Sequence, residues 1–367
     1  MRAQGVMAGL VAAIVLLVAG AYVAFGLMTA GWTLGCDYVS YHGAATRFLA
    51  GQPIYDPFAA WNTECRLYQY PPTGILLALP FTLLGYDVGM WAWIGMNIAA
   101  FVLAAAIMPV GRSVRWAVLL LGAVSWPFIF GVRIGQVTPL MLLLFAAGWR
   151  ALDRPRVLGA LVGIGTMLKL QPALLFGWLV LRREWRAVVA GLITIAVIAS
   201  VAAAIGLSDW VAFANHVRKI GNGLSQPTNA AIGAIVHGRG ASLGVAAAVQ
   251  VANTLAVLGL VALAALRCRR ETGYVVAVVA SQLASPIVWD HYALLLLIPV
   301  AWLLERRQWW AVAVPIAHAW VLFPFMPFLA YPIAMYAMLL APFAVDRTWL
   351  PSRGDRRGHA TQSQLAG

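Results

Sequence analysis

Acidic side chains are scarce in this chain of 367 residues: 12 Asp and Glu stand against 25 Lys and Arg, and charged residues make up only 10% of the whole. A soluble domain normally carries about a quarter of its residues as charge, so a water-exposed globular enzyme is excluded by composition. Also missing are an Asp-x-Asp metal motif, a low-complexity linker, a separate polar domain, and any repeat between 1–180 and 181–367. Three cysteines are too few for a disulfide scaffold. Cys36 and Cys65 fall in one polar stretch, where an oxidising compartment permits a bond or leaves two small free residues, and Cys268 stands among arginines. No His and carboxylate pair has metal-ligand spacing, so no tightly bound cofactor is expected and metal dependence stays open.

What fills the chain is apolar: 62% hydrophobic residues, 16 Trp and a mean hydropathy of +0.84. This is the composition of an all-α polytopic membrane protein. A membrane helix needs about 20 apolar residues, and residues 8–30, 187–206 and 244–266 meet that length almost without charge. The first run lacks a small-residue cleavage site after it and reads as a retained anchor. The net charge of +13 does not signal nucleic acid, because the basic residues sit in short clusters between apolar runs: 112–115, 150–156, 182–186, 267–270, 306–307 and 347–357. The positive-inside rule puts these clusters and both termini in the cytoplasm, and loops 31–70 and 207–243 outside. Parity then requires residues 71–85, which begin Pro71-Pro72 and contain Pro80, to be re-entrant or interfacial. The expectation is a single membrane domain over 1–350 with about 12 crossings, a disordered cytoplasmic tail at 351–367, and a bacterial plasma membrane as its location.

With that topology the unusual polar residues converge on the outer face. Asp37 leaves the first span there and opens a long polar loop with Tyr38, Tyr41, His42, Tyr55, Asp56 and Tyr70. Arg133 and Gln136 lie in the outer turn GVRIGQVT, and Lys169 and Gln171 interrupt an apolar run between two short segments. A lysine at a helix centre costs roughly 3 kcal/mol to insert, so one that persists there is a functional candidate. Loop 207–243 carries Arg218, Lys219 and Arg239 against the charge bias, and Asp290-His291 breaks another apolar stretch. Each has a plainer reading: a loop aspartate paired with Arg47, a snorkelling lysine, an interfacial arginine anchor, a structural Asp-His turn. Co-location is what sets the group apart.

The order D-Y-x-x-Y-x-x-A-x-x-F-L-x-G-x-x-I-Y-D from Asp37 to Asp56, then Y-P-P at Tyr70, R-x-G-Q-V from Arg133, L-K-L-Q-P-A-L-L from Leu168 and S-P-I-V-W-D-H-Y from Ser285, resembles the polyprenyl-phosphate-mannose-dependent mannosyltransferases of the GT-C superfamily. The likeness covers most of 30–305. The chain departs from the family pattern at Leu170-Gln171, where a proline is common, at Thr138, and at Tyr292, where a second histidine often stands; these departures bear on sugar and acceptor, not on fold. The resemblance implies a GT-C fold with a long first extracytoplasmic loop, a polyprenyl-phosphate-sugar donor and a glycolipid or glycan acceptor. By that reading Asp37 is the general base with Asp56 in reserve, and Lys169, Arg133, His291, Arg218 and Lys219 meet the donor phosphate. Tyr38, Tyr41, His42, Tyr55, Asp56, Tyr70, Gln136, Gln171 and Asp290 then shape the sugar and acceptor pocket. The rival expectation is a transporter or flippase of a lipid-linked or anionic substrate, for which a polar break in short helices is also usual.

Overall fold

The computed structural model describes scattered positions between 17 and 28, then residues 33–55, 68–220, 223–325, 327–346 and 348. Among these residues the regular structure is helical, with a single isolated bridge pairing Ser125 and Ala319. The helices are α1 Cys36–Leu49, α2 Ile75–Thr82, α3 Tyr86–Ile107, α4 Arg112–Ala123, α5 Trp126–Ile134, α6 Thr138–Arg150, α7 Pro155–Leu168 and α8 Leu174–Leu181. They continue with α9 Trp185–Ala204, α10 Trp210–Ile220, α11 Ile232–Gly238, α12 Leu243–Arg267, α13 Arg270–Leu283, α14 Leu297–Glu305, α15 Ala313–Ala317 and α16 Ala330–Val345.

Three described helices, α3, α9 and α12, are long and apolar enough to cross a membrane. Others are cut short by their own sequence. The apolar run 112–134 divides at Ser125, whose extended backbone lets Pro127 start α5 without a missing hydrogen bond. The run 155–181 divides at Lys169, which is fully extended at φ −155° and precedes a 3-10 turn over Gln171–Ala173. Helix α2 has eight residues, a rise of about 12 Å against a hydrocarbon core of about 30 Å. The expected tail at 351–367 lies outside the described residues, as does Cys65; Cys36 is disulfide-bonded and Cys268 is free and buried.

In lipid, helices associate through close packing rather than the hydrophobic effect, so small residues line their contacts. Gly159 and Gly163 of α7 meet α9 this way: a Cβ on Gly159 would run into the Ala187 carbonyl, and one on Gly163 would come within 2.7 Å of the Gly191 carbonyl oxygen. At the end of the bundle where α6 stops and α13 starts, charges are cross-linked. Glu271 accepts from Trp149 Nε1 at 2.8 Å and pairs with Arg306, Arg270 pairs with Glu184 at 3.0 Å, and Asp346 accepts from Thr272 and the Arg269 amide. The opposite end of α6 and α13 holds the polar cavity.

Candidate active site

Gly35 and Gly135 bring the first loop against the end of α5. Both adopt left-handed backbone, φ 69° and 76°, which costs a residue with a Cβ about 1–2 kcal/mol. Gly35 caps α1 and donates its N–H to the Arg133 carbonyl at 2.8 Å. Gly135 ends α5 where a Cβ would press on the Tyr38 backbone at 3.2 Å. The outcome is that Asp37, in the first turn of α1, faces Gln136, the residue after the turn.

Gln136 Nε2 donates to Asp37 Oδ2 at 2.5 Å, and its Oε1 accepts the Val137 amide at 2.9 Å. The Tyr70 hydroxyl bonds the same amide group, 3.0 Å from Nε2. Behind them Tyr70 stacks on Tyr41 with ring centroids 4.5 Å apart, Tyr41 packs on Trp93 and Tyr68, and the Tyr55 hydroxyl donates to the Tyr70 carbonyl at 2.9 Å. Asp37 is thereby held through one carboxylate oxygen, and among the described residues the other accepts no hydrogen bond.

Asp37 and Tyr70 open into a cavity of about 910 Å³, within the range of ligand sites. Gln136, Lys169, Gln171, Asp290 and His291 also line it, so seven sequence-derived candidates share one space. Lys169 is only 8% exposed, and among the described residues its amine has no carboxylate within 4 Å; Nζ sits 3.8 Å over the Tyr292 ring and 5.9 Å from Tyr70. A cation–π contact yields about 2 kcal/mol when desolvated, well short of the cost of burying an unpaired ammonium. His291 is 4% exposed, and among the described residues neither ring nitrogen makes a hydrogen bond. The two groups give the cavity wall an amine and an imidazole nitrogen placed to donate hydrogen bonds.

The second carboxylate is differently arranged. Asp290 Oδ2 accepts from Trp126 Nε1 at 2.8 Å and Oδ1 from the His291 amide at 2.7 Å, so both oxygens are committed. His291 Nδ1 lies 3.4 Å from Oδ1. This makes Asp290 a holder of the histidine rather than a free base.

Other candidates stand apart from the cavity. Arg133 does not line it; its Nε donates to Thr33 Oγ1 at 2.7 Å. Tyr38 is buried against Trp93 and His42, and His42 bonds Thr46. Arg218 is exposed and reaches Asn215 at 3.4 Å. Asp56 and the Lys219 side chain lie outside the described residues. Sequence reasoning missed Trp126, Phe130, Phe213, Ser285 and Tyr331, which line the cavity. It treated Tyr292 only as a departure, although the ring carries Lys169. The one available signal was adjacency, since Ser285 and Tyr292 lie within the motif that contains Asp290-His291. Among the described residues no three His, Cys, Asp or Glu converge as a metal site.

The helical bundle thus opens at one end into a polar cavity lined by a carboxylate, a buried lysine and a buried histidine. The model of glycosyltransferase family 87 matches residues 68–286, and the chain belongs to that family. It is a glycosyltransferase. The matched span holds Tyr70, Gln136, Lys169 and Gln171, while Asp37 precedes it and His291 follows it. The chain is also similar to the polyprenol-phosphate-mannose-dependent alpha-(1-2)-phosphatidylinositol mannoside mannosyltransferase of Mycobacterium tuberculosis, with 25% identity over 288 residues, 70% of this chain and 67% of that one.

Proposed function

We propose that the protein moves a hexose, mannose, from polyprenyl phosphate to a hydroxyl of a glycolipid acceptor at the outer face of a bacterial plasma membrane. The observation that carries this reading is the presence in one cavity of Asp37, only one of whose oxygens accepts a hydrogen bond among the described residues, and Lys169, a buried amine with no carboxylate within 4 Å among them. The donor named for the mycobacterial relative supports the choice of sugar carrier.

Asp37 takes the proton of the acceptor hydroxyl as that oxygen bonds to the anomeric carbon. The bond from this carbon to the phosphate oxygen breaks, and polyprenyl phosphate leaves with the electron pair. One base suffices for such an inverting displacement, because the leaving phosphate is already an anion and needs cations, not a general acid. Lys169 and His291 supply the cationic and hydrogen-bonding wall. Gln136 orients the carboxylate, Trp126 and Asp290 fix His291, and Gln171 and Tyr70 offer hydrogen bonds to sugar hydroxyls. The apolar members of the same cavity, Leu174, Phe213, Val217 and Ile287, suit the first isoprene units.

The test is transfer of label from radiolabelled polyprenyl-phosphate-mannose to phosphatidylinositol mannosides by the full chain in lipid nanodiscs, beside the corresponding glucose donor. Label in a glycolipid product from the mannose donor alone is expected. Transfer from the glucose donor alone would change the sugar, and no product from either donor with any glycolipid would sink the reading.

A further inference from the structure

A second cavity of about 570 Å³ lies beside the first, walled by residues 224–239 and 327–329. Phe328 lines both cavities. The partition between them is pinned by Asn229, which is buried and spends its whole amide on backbone. Its Nδ2 donates to the Gly223 and Pro286 carbonyls at 3.0 and 2.8 Å, and its Oδ1 accepts from the Ala231 and Val288 amides at 3.0 and 2.9 Å. Pro286 and Ile287, on the other side of that seam, line the cavity that holds Asp37.

The second cavity is furnished differently from the first. Ser225, Gln226, His237 and Arg239 line it, and among the described residues no hydrogen bond engages the Ser225 or Arg239 side chain or the Gln226 amide. His237 uses Nδ1 on the Ala241 carbonyl at 2.8 Å, which leaves Nε2 to a ligand. A hydroxyl, an amide, an imidazole and a guanidinium offer donors and acceptors together, and Phe328 provides an apolar ring face. That mixture fits a polyhydroxylated ring better than an isoprenoid chain or a peptide. An unpaired Arg239 adds affinity for vicinal hydroxyls or a phosphate diester.

We propose that this cavity is an acceptor subsite that binds the sugar residues of a glycosylated acceptor beyond the one being extended. The inference rests on the transferase reading above and adds where the acceptor glycan lies. Donor lipid then enters the first cavity and acceptor glycan the second, with Phe328 at their junction.

The experiment is donor-free binding of a soluble α-linked mannose tetrasaccharide to the full chain in nanodiscs, by calorimetry and saturation-transfer NMR. Wild type is expected to bind saturably. Gln226→Ala/Arg239→Ala is expected to bind about tenfold or more weakly, and Ser225→Trp, which fills the cavity, not at all. Each variant is checked for wild-type elution and thermal midpoint. Absence of saturable binding to wild type, or binding unmoved by both cavity variants, would overturn the subsite. Because no donor and no turnover are involved, that failure is separate from a failure of the transfer assay.

Discussion

Glu271 and Asp37 each occupy the first turn of a helix, where the helix dipole favours a carboxylate, yet the two are surrounded in opposite ways. Glu271 receives an indole N–H and a guanidinium, one on each oxygen. Asp37 receives one amide on one oxygen and lines a cavity. The contrast extends to the cations: Arg306 and Arg270 are paired with carboxylates, while Lys169 rests on a tyrosine face. Closed charges tie helices together. Open ones cost stability and persist where a substrate completes them.

Substitutions that isolate each group sharpen this contrast. Asp37→Asn keeps the size and the Gln136 contact but removes the base, so the rate of transfer in nanodiscs is expected to fall by about 10²–10⁴. Lys169→Met keeps the length of the stem and loses the charge; a fall of about 10²–10³ in kcat is expected from the lost stabilisation of the leaving phosphate. If Lys169→Met only raised the donor KM at unchanged kcat, the lysine would be a binding group and not a transition-state one. Gln136→Leu removes a hydrogen bond to a charged group, about 1.5–3 kcal/mol, and should lower kcat/KM by roughly ten- to hundredfold without altering the fold. Trp126→Phe frees Asp290 Oδ2, and a loss of about tenfold or less in kcat/KM is expected. At the closed end, Glu271→Gln is expected to leave turnover within about twofold and to lower the thermal midpoint by a few degrees, as a part-exposed pair worth about 1 kcal/mol should. A large loss of turnover in Glu271→Gln with full stability would break the comparison.

The two regions also differ in how far the sequence disclosed them. Long uninterrupted runs are their own evidence: α9 and α12 fall on the runs 187–206 and 244–266, while the run 8–30 lies mostly outside the described residues. Asp37, Lys169 and Asp290-His291 were legible because polar residues in an apolar context are costly, so each break points at itself. What a break does not disclose is the direction of the side chain. Arg133 and Gln136 sit in one turn, but Gly135 reverses the chain between them, sending Gln136 to Asp37 and leaving Arg133 with Thr33. Trp126 was illegible for a related reason: an indole in a membrane protein reads as packing or interface, and its bond to Asp290 joins residues 164 apart in sequence. Tyr292 reads as a lost histidine until Lys169 is seen above its ring. The cavity under residues 224–239 depends on Asn229 pinning the loop to Pro286 and Val288, a contact that no local pattern encodes.

The central claim is that Asp37 is the base, and single-turnover transfer separates it from every binding role. Enzyme saturated with polyprenyl-phosphate-mannose would be mixed with a glycolipid acceptor, and the formation of product followed for wild type and Asp37→Asn, with donor affinity measured on the same samples. Equal donor affinity with a single-turnover rate for Asp37→Asn at least about a hundredfold below wild type is the predicted result; equal rates from the two proteins would contradict it.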